Sequence, residues 1–395
     1  MTYEIVKLAD VCDLIAGYAF KSGDFGDYAQ KVIKITNIVP PNVDMDSLCG
    51  VDMSKYDSAR LAKYIARTGD FLFAMTGATV GKIGRIKEGE AYINQRVLMF
   101  KNRPNIDKDF LYYVLQQNDF YAYVKNHIDS ESAQPNISAN TVGKYEFALP
   151  PKEIQVKIGA FLRKLDAKRE QNEKINDNLQ QQMRALYQEW FVDFGPFGGE
   201  MPANWSTGKL KDILTLTRNG IRAGQDPSSP YLPIDVIPMR TFALSEFKPN
   251  EEAQSSLVTF DKNDILIGAM RVYFHRVVIA PCKGVTRTTC FTLKPKHSAY
   301  LGFGLLCCDQ DSSIDYAQST SKGTTMPYAV WDGGFGEMEI VIPPLEIAAR
   351  FNEIVRPMLQ TIQTSYFENF NLRTMRDRLL AKLMSGEADV SALNI

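Results

Sequence analysis

The stretch GDFLFAMTGATVGKIG, at positions 69–84, is the part of this sequence that looks most like a phosphate-binding loop. A P-loop needs four residues between its first glycine and a Gly-Lys pair, followed by a Ser or Thr whose hydroxyl meets Mg²⁺. Here only three residues separate Gly77 from Gly81, and Ile83 occupies the hydroxyl position. The spacing therefore excludes a P-loop. It favours a tight hairpin whose glycines adopt positive φ.

The other side chains that could do chemistry do not form a catalytic or metal-site pattern. The three histidines are scattered, and the six cysteines form no C-x-x-C pair, so neither a Ser-His-Asp order nor a zinc spacing can be built. Glu88 and Glu90 are better explained as turn residues than as an acid/base pair. We therefore expect reduced, mostly buried thiols, and neither a cofactor nor a metal in this chain.

The chain repeats itself at an offset of 193 residues. FALPPKEIQVKIGAFL (147–162) aligns with EIVIPPLEIAARFNEI (339–354), and GDFLF (69–73) aligns with NDILI (263–267) at an offset of 194. Each half is thus a globular domain followed by a shorter segment. The predicted boundaries are head one at 1–151, spacer helix one at 152–193, head two at 194–344, spacer helix two at 345–386 and a C-terminal tail at 387–395.

The two shorter segments have the periodicity of helices that pack along a seam. In steps of four and three residues from 154 to 186, and again from 347 to 379, seven of the ten seam positions are apolar. Each segment begins just after a Pro-Pro pair, where a missing N–H is tolerated. Pro357 predicts a kink, or a helix that starts beyond it.

Helices of this length favour pairing with each other. A helix of ~37 residues is ~55 Å long, whereas a 150-residue domain is only about 35–40 Å across. The alternative is an amphipathic helix that lies on its own domain. An antiparallel pair brings together the two helix ends that head two connects, and it places Lys168 and Asn172 opposite Ser365 and Thr361, although a parallel register matches them too. The predicted fold is α+β, with two similar α/β domains at opposite ends of a long antiparallel two-helix coiled coil.

Local charge suggests what the two domains bind. The chain as a whole carries a net charge of −1, so no global charge argues for nucleic acid. From Arg60 to Arg103, however, nine basic residues face three acidic ones, and from Ile265 to Cys308 there are six basic residues and no acidic one. Such clusters suit phosphate backbones, and Arg, Asn, Gln and Thr within them suit base edges. A solvated surface is the plain alternative for each cluster alone.

The sequence resembles the specificity (S) subunits of type I restriction–modification systems. The resemblance rests on the two-domain repeat, the order GDFLF, TGATVGKIG and INQR, the segment PNISANTVGKYEFALPP (135–151) and the long helix, and it covers nearly the whole chain. It implies that each head is a target-recognition domain that reads one half of a bipartite double-stranded DNA site. The coiled coil would set the spacing and dock methylation (M) subunits, with two the expected number. Restriction (R) subunits are further candidate partners.

The same resemblance implies that the chain is a non-catalytic, cytoplasmic subunit. S-adenosylmethionine, ATP and Mg²⁺ would be bound by the partner subunits. The start MTYEIVKLAD has no basic-then-apolar leader, and no apolar run reaches the ~20 residues of a membrane span. In head two, Asn263-Asp264 replaces Gly-Asp and MRVYFHR (270–276) replaces the glycine-rich turn, so contact residues cannot simply be copied between the heads.

Candidate contact residues follow from these segments. The residues predicted to contact DNA are Thr76, Lys82, Arg85, Asn94, Gln95 and Arg96 in head one, and Arg271, Tyr273, His275, Arg276, Arg287 and Thr288 in head two. Near the end of spacer helix one, Tyr187, Trp190 and Phe191 are predicted to be exposed and to dock a partner. The alternative for these three aromatic residues is that they cap the core of the helix pair itself.

Two other functions compete with this interpretation. A DNA adenine methyltransferase with a fused recognition domain would carry Pro-Pro followed by Tyr or Phe, and none of the Pro-Pro pairs at 40–41, 150–151 and 343–344 is followed by either. A protein adaptor whose heads bind partners instead of DNA would lack the steep salt dependence that phosphate contacts cause.

Overall fold

The computed structural model describes residues 3–129, 134–254 and 256–387. The chain divides into two compact units, which are described separately. Unit one comprises Met1–Asp166 with Met375–Ile395, and unit two comprises Ala167–Thr374. None of the helices in the described ranges combines the length and the apolarity that crossing a membrane requires.

Unit one contains the sheets of head one. Its strands are β1 (Glu4–Lys7), β2 (Cys12–Ala16), β3 (Phe25–Ile33), β4 (Ile38–Val39), β5 (Asn42–Val43), β6 (Cys49–Val51), β7 (Ile65–Arg67), β8 (Phe71–Ala74), β9 (Ile83–Arg85), β10 (Glu90–Ile93), β11 (Val97–Asn102) and β12 (Glu146–Leu149). Its short helices are α1 (Leu8–Val11), α2 (Ser58–Leu61), α3 (Lys108–Val114), α4 (Asn118–Asn126) and α5 (Ala139–Gly143). One sheet has the order β2-β11-β8-β9-β5-β4, a second has the order β6-β3-β10-β7, and β1 pairs with β12.

Long helices follow each head. They are α6 (Lys152–Tyr187), which continues as a π-helical turn at Gln188–Val192, and α10 (Leu345–Ser385). Head two supplies the strands β13 (Ser206–Lys209), β14 (Leu214–Leu216), β15 (Gly220–Ile221), β16 (Tyr231–Leu232), β17 (Leu257–Phe260), β18 (Ile265–Gly268), β19 (Val277–Ile279), β20 (Gly284–Arg287), β21 (Cys290–Pro295) and β22 (Glu339–Ile342). Its helices are α7 (Leu210–Ile213), α8 (Tyr300–Cys308) and α9 (Asp311–Ser319).

The two heads repeat the same strand pairings, which confirms the predicted duplication of one α/β frame. In head one, β11 lies antiparallel between β2 and β8, and β10 pairs in parallel with β3. In head two, β21 lies antiparallel between β14 and β18, and β20 pairs in parallel with β16. Two helices then follow the central strand in each head, α3 and α4 in the first and α8 and α9 in the second.

The GDFLF segment forms the buried centre of head one. Every residue of β8 is buried, as its continuous apolar run predicts. The preceding Asp70 accepts a hydrogen bond from the Arg67 backbone N–H at 2.9 Å and from the ammonium groups of Lys101 and Lys108 at 2.5 and 3.0 Å. This Asp therefore holds the turn before the strand and joins three parts of the domain.

The long helices pair in antiparallel fashion within each unit. In unit one, the guanidinium of Arg376 on α10 lies 3.1 Å from the Asp166 carboxylate on α6. In unit two, the Asn172 amide donates to Asn369 at 2.9 Å, while the rings of Phe191 and Phe351 lie 4.8 Å apart. The partner number on α10 falls as the number on α6 rises, so the predicted antiparallel orientation is confirmed.

The predicted register of this pair was wrong. Asn172 donates hydrogen bonds to Glu368 and Asn369 and does not face Thr361. After Asn172, which is a predicted seam position, the buried stripe of α6 in unit two leaves the predicted seam. It comprises Asn172, Asn176, Gln180, Met183 and Tyr187. The physical reason is that head two covers one side of α6: the Gln180 side chain accepts a hydrogen bond from the Phe242 N–H at 2.6 Å.

Pro357 predicted either a kink or a helix that starts beyond the proline, and the second of these expectations was wrong. α10 begins at Leu345 and continues through Pro357, so its start is not delayed beyond the proline. Pro357 lies on an exposed part of the helix. A proline lacks the N–H that would bond to the carbonyl four residues earlier, so the helix continues without that one hydrogen bond.

Candidate nucleic-acid interface

Three chain segments of head one meet at one edge of its sheets. The loop after β8 joins the β10–β11 turn because the Met75 N–H donates to the Arg96 carbonyl at 3.0 Å. It also joins the segment before α5, because the Gly77 N–H donates to the Pro135 carbonyl at 2.9 Å and the Ile137 N–H donates to Met75 at 3.0 Å. This three-segment junction places the glycine-rich loop after β8 and the polar β10–β11 turn next to each other on one surface.

The junction exposes several of the predicted contact residues. Lys82, Gln95 and Arg96 are exposed, and Asn94 is half-buried with its side chain accepting a hydrogen bond from the Gln95 N–H. Neither Lys82 nor Arg96 has an ion pair within the described part of the chain. Their charges are thus available to an anionic ligand, as a phosphate contact requires.

Thr76 was expected to face outward, and the structure places it differently. It is buried, and its hydroxyl donates a hydrogen bond to the Pro135 carbonyl at 3.0 Å. Its position in the junction explains this, because the loop and the segment before α5 meet at that point. Thr76 thus holds the junction together and does not itself present a free hydroxyl.

Arg85 is also used inside head one. It lies at the far end of β9, where its guanidinium contacts the Asp109 carboxylate at 2.8 Å and stacks 4.2 Å from the centre of the Tyr112 ring. Only 14% of its side chain is exposed. The outward orientation predicted for Arg85 was wrong because the strand directs this side chain toward α3.

Head two repeats the junction with other residues. The Ala269 N–H donates to the Thr289 carbonyl at 2.9 Å, the Ala329 N–H donates to Ala269 at 2.8 Å, and the Arg271 N–H donates to Pro327 at 2.7 Å. The turn after β18, the β20–β21 turn and the segment near 327–329 therefore meet as their counterparts do in head one. The predicted residues exposed at this edge are Arg271, Tyr273, Arg287 and Thr288.

His275 and Arg276 do not belong to the exposed set. His275 is 4% exposed, and its Nε2 lies 2.9 Å from the Asp309 carboxylate. The Arg276 guanidinium donates to the backbone carbonyls of Ile234 at 2.6 Å and Asp235 at 3.1 Å. Both side chains are engaged within the domain, so the exposed placement predicted for them is wrong, while their contact with DNA stays a prediction.

A cleft of 640 Å³ adjoins the head-two junction, and its lining was not predicted from the sequence. Arg218, Arg222 and Gln225 line it together with Thr288. Arg218 pairs with Asp332, while Arg222 and Gln225 are exposed. The signal that could have revealed them is the segment TRNGIRAGQDPSSP (217–230), where Gly, Pro and polar residues predict a loop and two arginines give it charge.

Ion pairs reduce the charge of the basic segment of head one. Arg67 contacts Glu90 at 3.0 Å, Lys101 contacts Asp70, and Arg103 contacts Asp13 at 2.8 Å. Burial alone would raise the pKa of Asp70, but hydrogen bonds from Lys101, the Arg67 backbone and Lys108 outweigh it and lower that pKa below 3.8. The Glu90 pairing also makes an acid/base role with Glu88 unsupported.

The aromatic residues predicted to dock a partner lie in the core of unit two. Tyr187 and Phe191 are 7% and 5% exposed, and Trp190 is half-buried against Phe197 and Phe351. The prediction that all three are exposed was wrong. The last turn of α6 enters the apolar core of head two, where the Phe191 and Phe303 rings lie 4.8 Å apart.

The described residues contain no cluster of three or more His, Cys, Asp or Glu side chains that could hold a metal ion. Four thiols, those of Cys12, Cys290, Cys307 and Cys308, are buried. Burial raises the pKa of Cys12 and Cys290 to about 12, which makes them poor nucleophiles at neutral pH. The chemistry that the two junctions can offer consists of hydrogen bonds and positive charge.

Comparison with known proteins adds three findings. Residues 1–181 match the family described as type I restriction modification DNA specificity domain. The type I restriction enzyme MjaIX specificity subunit of Methanocaldococcus jannaschii is 24% identical over 318 residues, covering 74% of this chain and 71% of that protein. The HindI specificity subunit of Haemophilus influenzae is 24% identical over 353 residues, covering 71% and 77% respectively.

A solved structure also resembles the chain. The type I restriction–modification system S subunit from M. genitalium superposes with a TM-score of 0.59 at 14% identity, covering 97% of this chain and 96% of that one. At this identity the likeness concerns the fold, and it agrees with the paired domains and long helices described above.

Proposed function

We propose that the chain is a type I restriction–modification specificity subunit, as the match of residues 1–181 and the two relatives support, and that each of its heads reads one half of a bipartite DNA site. The observation that carries this proposal is the repeated junction: one backbone arrangement occurs in both heads and presents different exposed side chains. Gln95 and Arg96 occupy the β10–β11 turn, whereas Arg287 ends β20 and Thr288 begins the corresponding β20–β21 turn. A shared frame with different polar ends suits the reading of two different base sequences.

The chain is a non-catalytic specificity subunit. Its role in the complex is to recognise DNA, as the matched specificity domain indicates. The chemistry is then assigned to partners: methylation subunits that bind S-adenosylmethionine, and restriction subunits that use ATP and Mg²⁺. The paired helices α6 and α10 would set the gap between half-sites and dock two methylation subunits.

Partner docking is best supported at side chains of the paired helices that are apolar and exposed. Ile175 on α6 is 39% exposed, and Phe367 and Phe370 on α10 are each 43% exposed. Water-exposed rings on a helix face are typical of a surface that another protein covers. Replacing Phe367 and Phe370 with Ser should abolish co-purification with the methylation subunit from the same organism. Unchanged co-purification of the folded variant would remove this surface from the docking site.

The two-reader proposal is tested by exchanging one head. Residues 194–344 are replaced by the matching segment of a relative, and methylated adenines are mapped in cells that carry the methylation subunit. We expect one half of the methylated site to change and the other half to stay the same. A change in both halves, or in neither, would contradict separate readers.

The salt dependence of duplex binding distinguishes DNA reading from the adaptor alternative. If the heads contact DNA phosphates, binding releases counterions and log K falls linearly with log salt concentration. An adaptor that binds only proteins would show no salt-dependent binding to a DNA duplex. Absence of salt-dependent duplex binding by the chain, alone and with its methylation subunit, would refute the DNA-reading function.

A further inference from the structure

The reading turns of the two heads share an unusual backbone, but they build it from different residues. In head one, Gly77 and Gly81 have φ angles of +73° and +88°. At an offset of 194, the corresponding residues of head two are Arg271 and His275, with φ angles of +50° and +52°. Positive φ is easy for glycine and costly for Arg and His. Head two therefore holds its turn in a strained conformation that other contacts must stabilise.

A charged cluster centred on a buried carboxylate supplies those contacts. The carboxylate of Asp309 is 1% exposed, and it accepts hydrogen bonds from Nε2 of His275 at 2.9 Å and from Nε of Arg184 at 2.7 Å. The carboxylate only accepts, so the Nε2 atom of His275 carries the proton. Nδ1 lies 3.2 Å from the Asp311 carboxylate without hydrogen-bonding geometry.

A second set of bonds closes the cluster around the turn. The Arg240 N–H donates to the His275 carbonyl at 2.8 Å, and the Arg240 guanidinium donates to Asp311 at 2.9 Å. Arg184 in turn donates to the Arg240 carbonyl at 3.1 Å. The last residue of the strained turn is thus fixed at both its side chain and its carbonyl, and both connections lead to α6.

We propose that the Arg184–Asp309–His275 cluster is a positioning device that anchors the head-two reading turn to α6, so that the exposed Arg271 and Tyr273 meet duplex DNA in one fixed orientation. This inference rests on the proposed DNA-reading function. Arg271 begins the short turn that His275 ends, and its own side chain points to solvent. If the contacts that hold His275 were removed, Arg271 could leave the strained conformation, and its side chain would lose the orientation needed to contact DNA.

The test uses the full chain together with its methylation subunit and a pool of duplexes with randomised sequence. Bound duplexes are sequenced, and base preference is measured at each position of both half-sites. Wild-type protein should select a bipartite site. The variant Arg184→Met should lose roughly tenfold of its discrimination in one half-site only, since a well-placed polar contact accounts for about that much. Arg184→Lys, which retains the charge, should recover part of the loss.

A second variant keeps the test independent of folding defects. His275→Gly removes the imidazole while allowing the positive φ that Gly81 adopts in head one. It should therefore fold, as circular dichroism would verify, and lose discrimination in the same half-site as Arg184→Met. Arg271→Gly should do so as well, because it removes the reading side chain itself.

The outcomes separate the inference from the function on which it rests. If the folded Arg184→Met and His275→Gly variants retain full preference in both half-sites, or lose it equally in both, the positioning role is overturned. If wild-type protein selects no sequence at all, the proposed DNA-reading function fails instead.

Discussion

Replacing Phe191 with Ala distinguishes a core residue from a docking residue. The Phe191 side chain is 5% exposed, and its ring lies 4.8 Å from the rings of both Phe303 and Phe351. Truncation of a buried Phe to Ala costs about 3–5 kcal/mol, because apolar contacts are lost and a cavity remains. In a domain of ~200 residues each kcal/mol lowers the melting midpoint by about 2–4 °C. The expected decrease is therefore roughly 6–20 °C.

Differential scanning calorimetry measures this effect on the unfolding transition of unit two. Val192→Ala is the matched control, because Val192 follows Phe191 in the same helical turn but is 47% exposed. The free energy of unfolding of the Val192→Ala variant should differ from that of the wild-type protein by no more than about 0.5 kcal/mol. An unchanged melting midpoint for Phe191→Ala, combined with loss of co-purification with the methylation subunit, would refute the core assignment and restore the docking role.

Other perturbations follow from the same geometry. Because the pKa of Asp70 is lowered in the folded state, its stabilising effect is present above the ordinary value of 3.8 and is lost as the pH falls through the folded value. Asp70→Asn should therefore flatten the acid side of a urea-unfolding stability profile, and an unchanged acid dependence would contradict this. Lys82→Gln should reduce the salt slope of DNA binding by about 1. Arg85→Gln should lower the melting midpoint and leave that slope unchanged, and the opposite pattern would reverse the two assignments. Inserting four residues into both α6 and α10 lengthens each helix by ~6 Å, so mapped methylation should show a gap one or two base pairs longer. An unchanged gap would refute the spacer role.

The duplication and the long helices could be predicted because each depends on patterns of neighbouring residues in the sequence. Pro-Pro before each helix, a repeating apolar spacing and a buried strand before a glycine turn all depend on neighbouring residues. The repeat then doubles the evidence for each element. These patterns predicted the paired frames and the long helices, whereas the antiparallel orientation followed from the way head two connects the two helix ends.

The register of the helices could not be predicted in this way. A seam drawn from apolar residues assumes that the partner helix is the only surface each helix meets. In unit two, α6 also packs against head two, and polar residues such as Asn176 and Gln180 are buried there with 4% and 2% exposure. Meanwhile Ile175, an apolar seam position, is 39% exposed. Only the tertiary structure shows which face the domain occupies.

The candidate site was predicted in part for a related reason. Residue type identified Lys82, Gln95 and Arg96, which lie in turns whose side chains have no neighbouring layer to meet. The same reasoning failed for Arg85 and His275, because a strand or a strained turn can direct a polar side chain inward. Sequence gives the chemistry of a side chain, whereas the backbone gives its direction.

Charge counts overestimate the electrostatic footprint in the same way. The two basic segments hold fifteen Lys and Arg residues. Six of them are engaged by carboxylates or backbone carbonyls: Arg67, Arg85, Lys101, Arg103, Arg276 and Lys294. The remaining nine are exposed and have no ion pair in the described part of the chain.

Those nine charges set a limit on the salt dependence of DNA binding. Each phosphate contact contributes about −0.9 to the slope of log K against log salt concentration. If these segments make the phosphate contacts, the slope for the chain without its partners should be no steeper than roughly −8, whereas all fifteen charges would allow roughly −13. Fluorescence anisotropy across a salt titration measures the slope directly. A value well beyond −8 would mean that further charges take part, either exposed arginines outside the two segments, such as Arg222, or internal ion pairs that open when DNA binds.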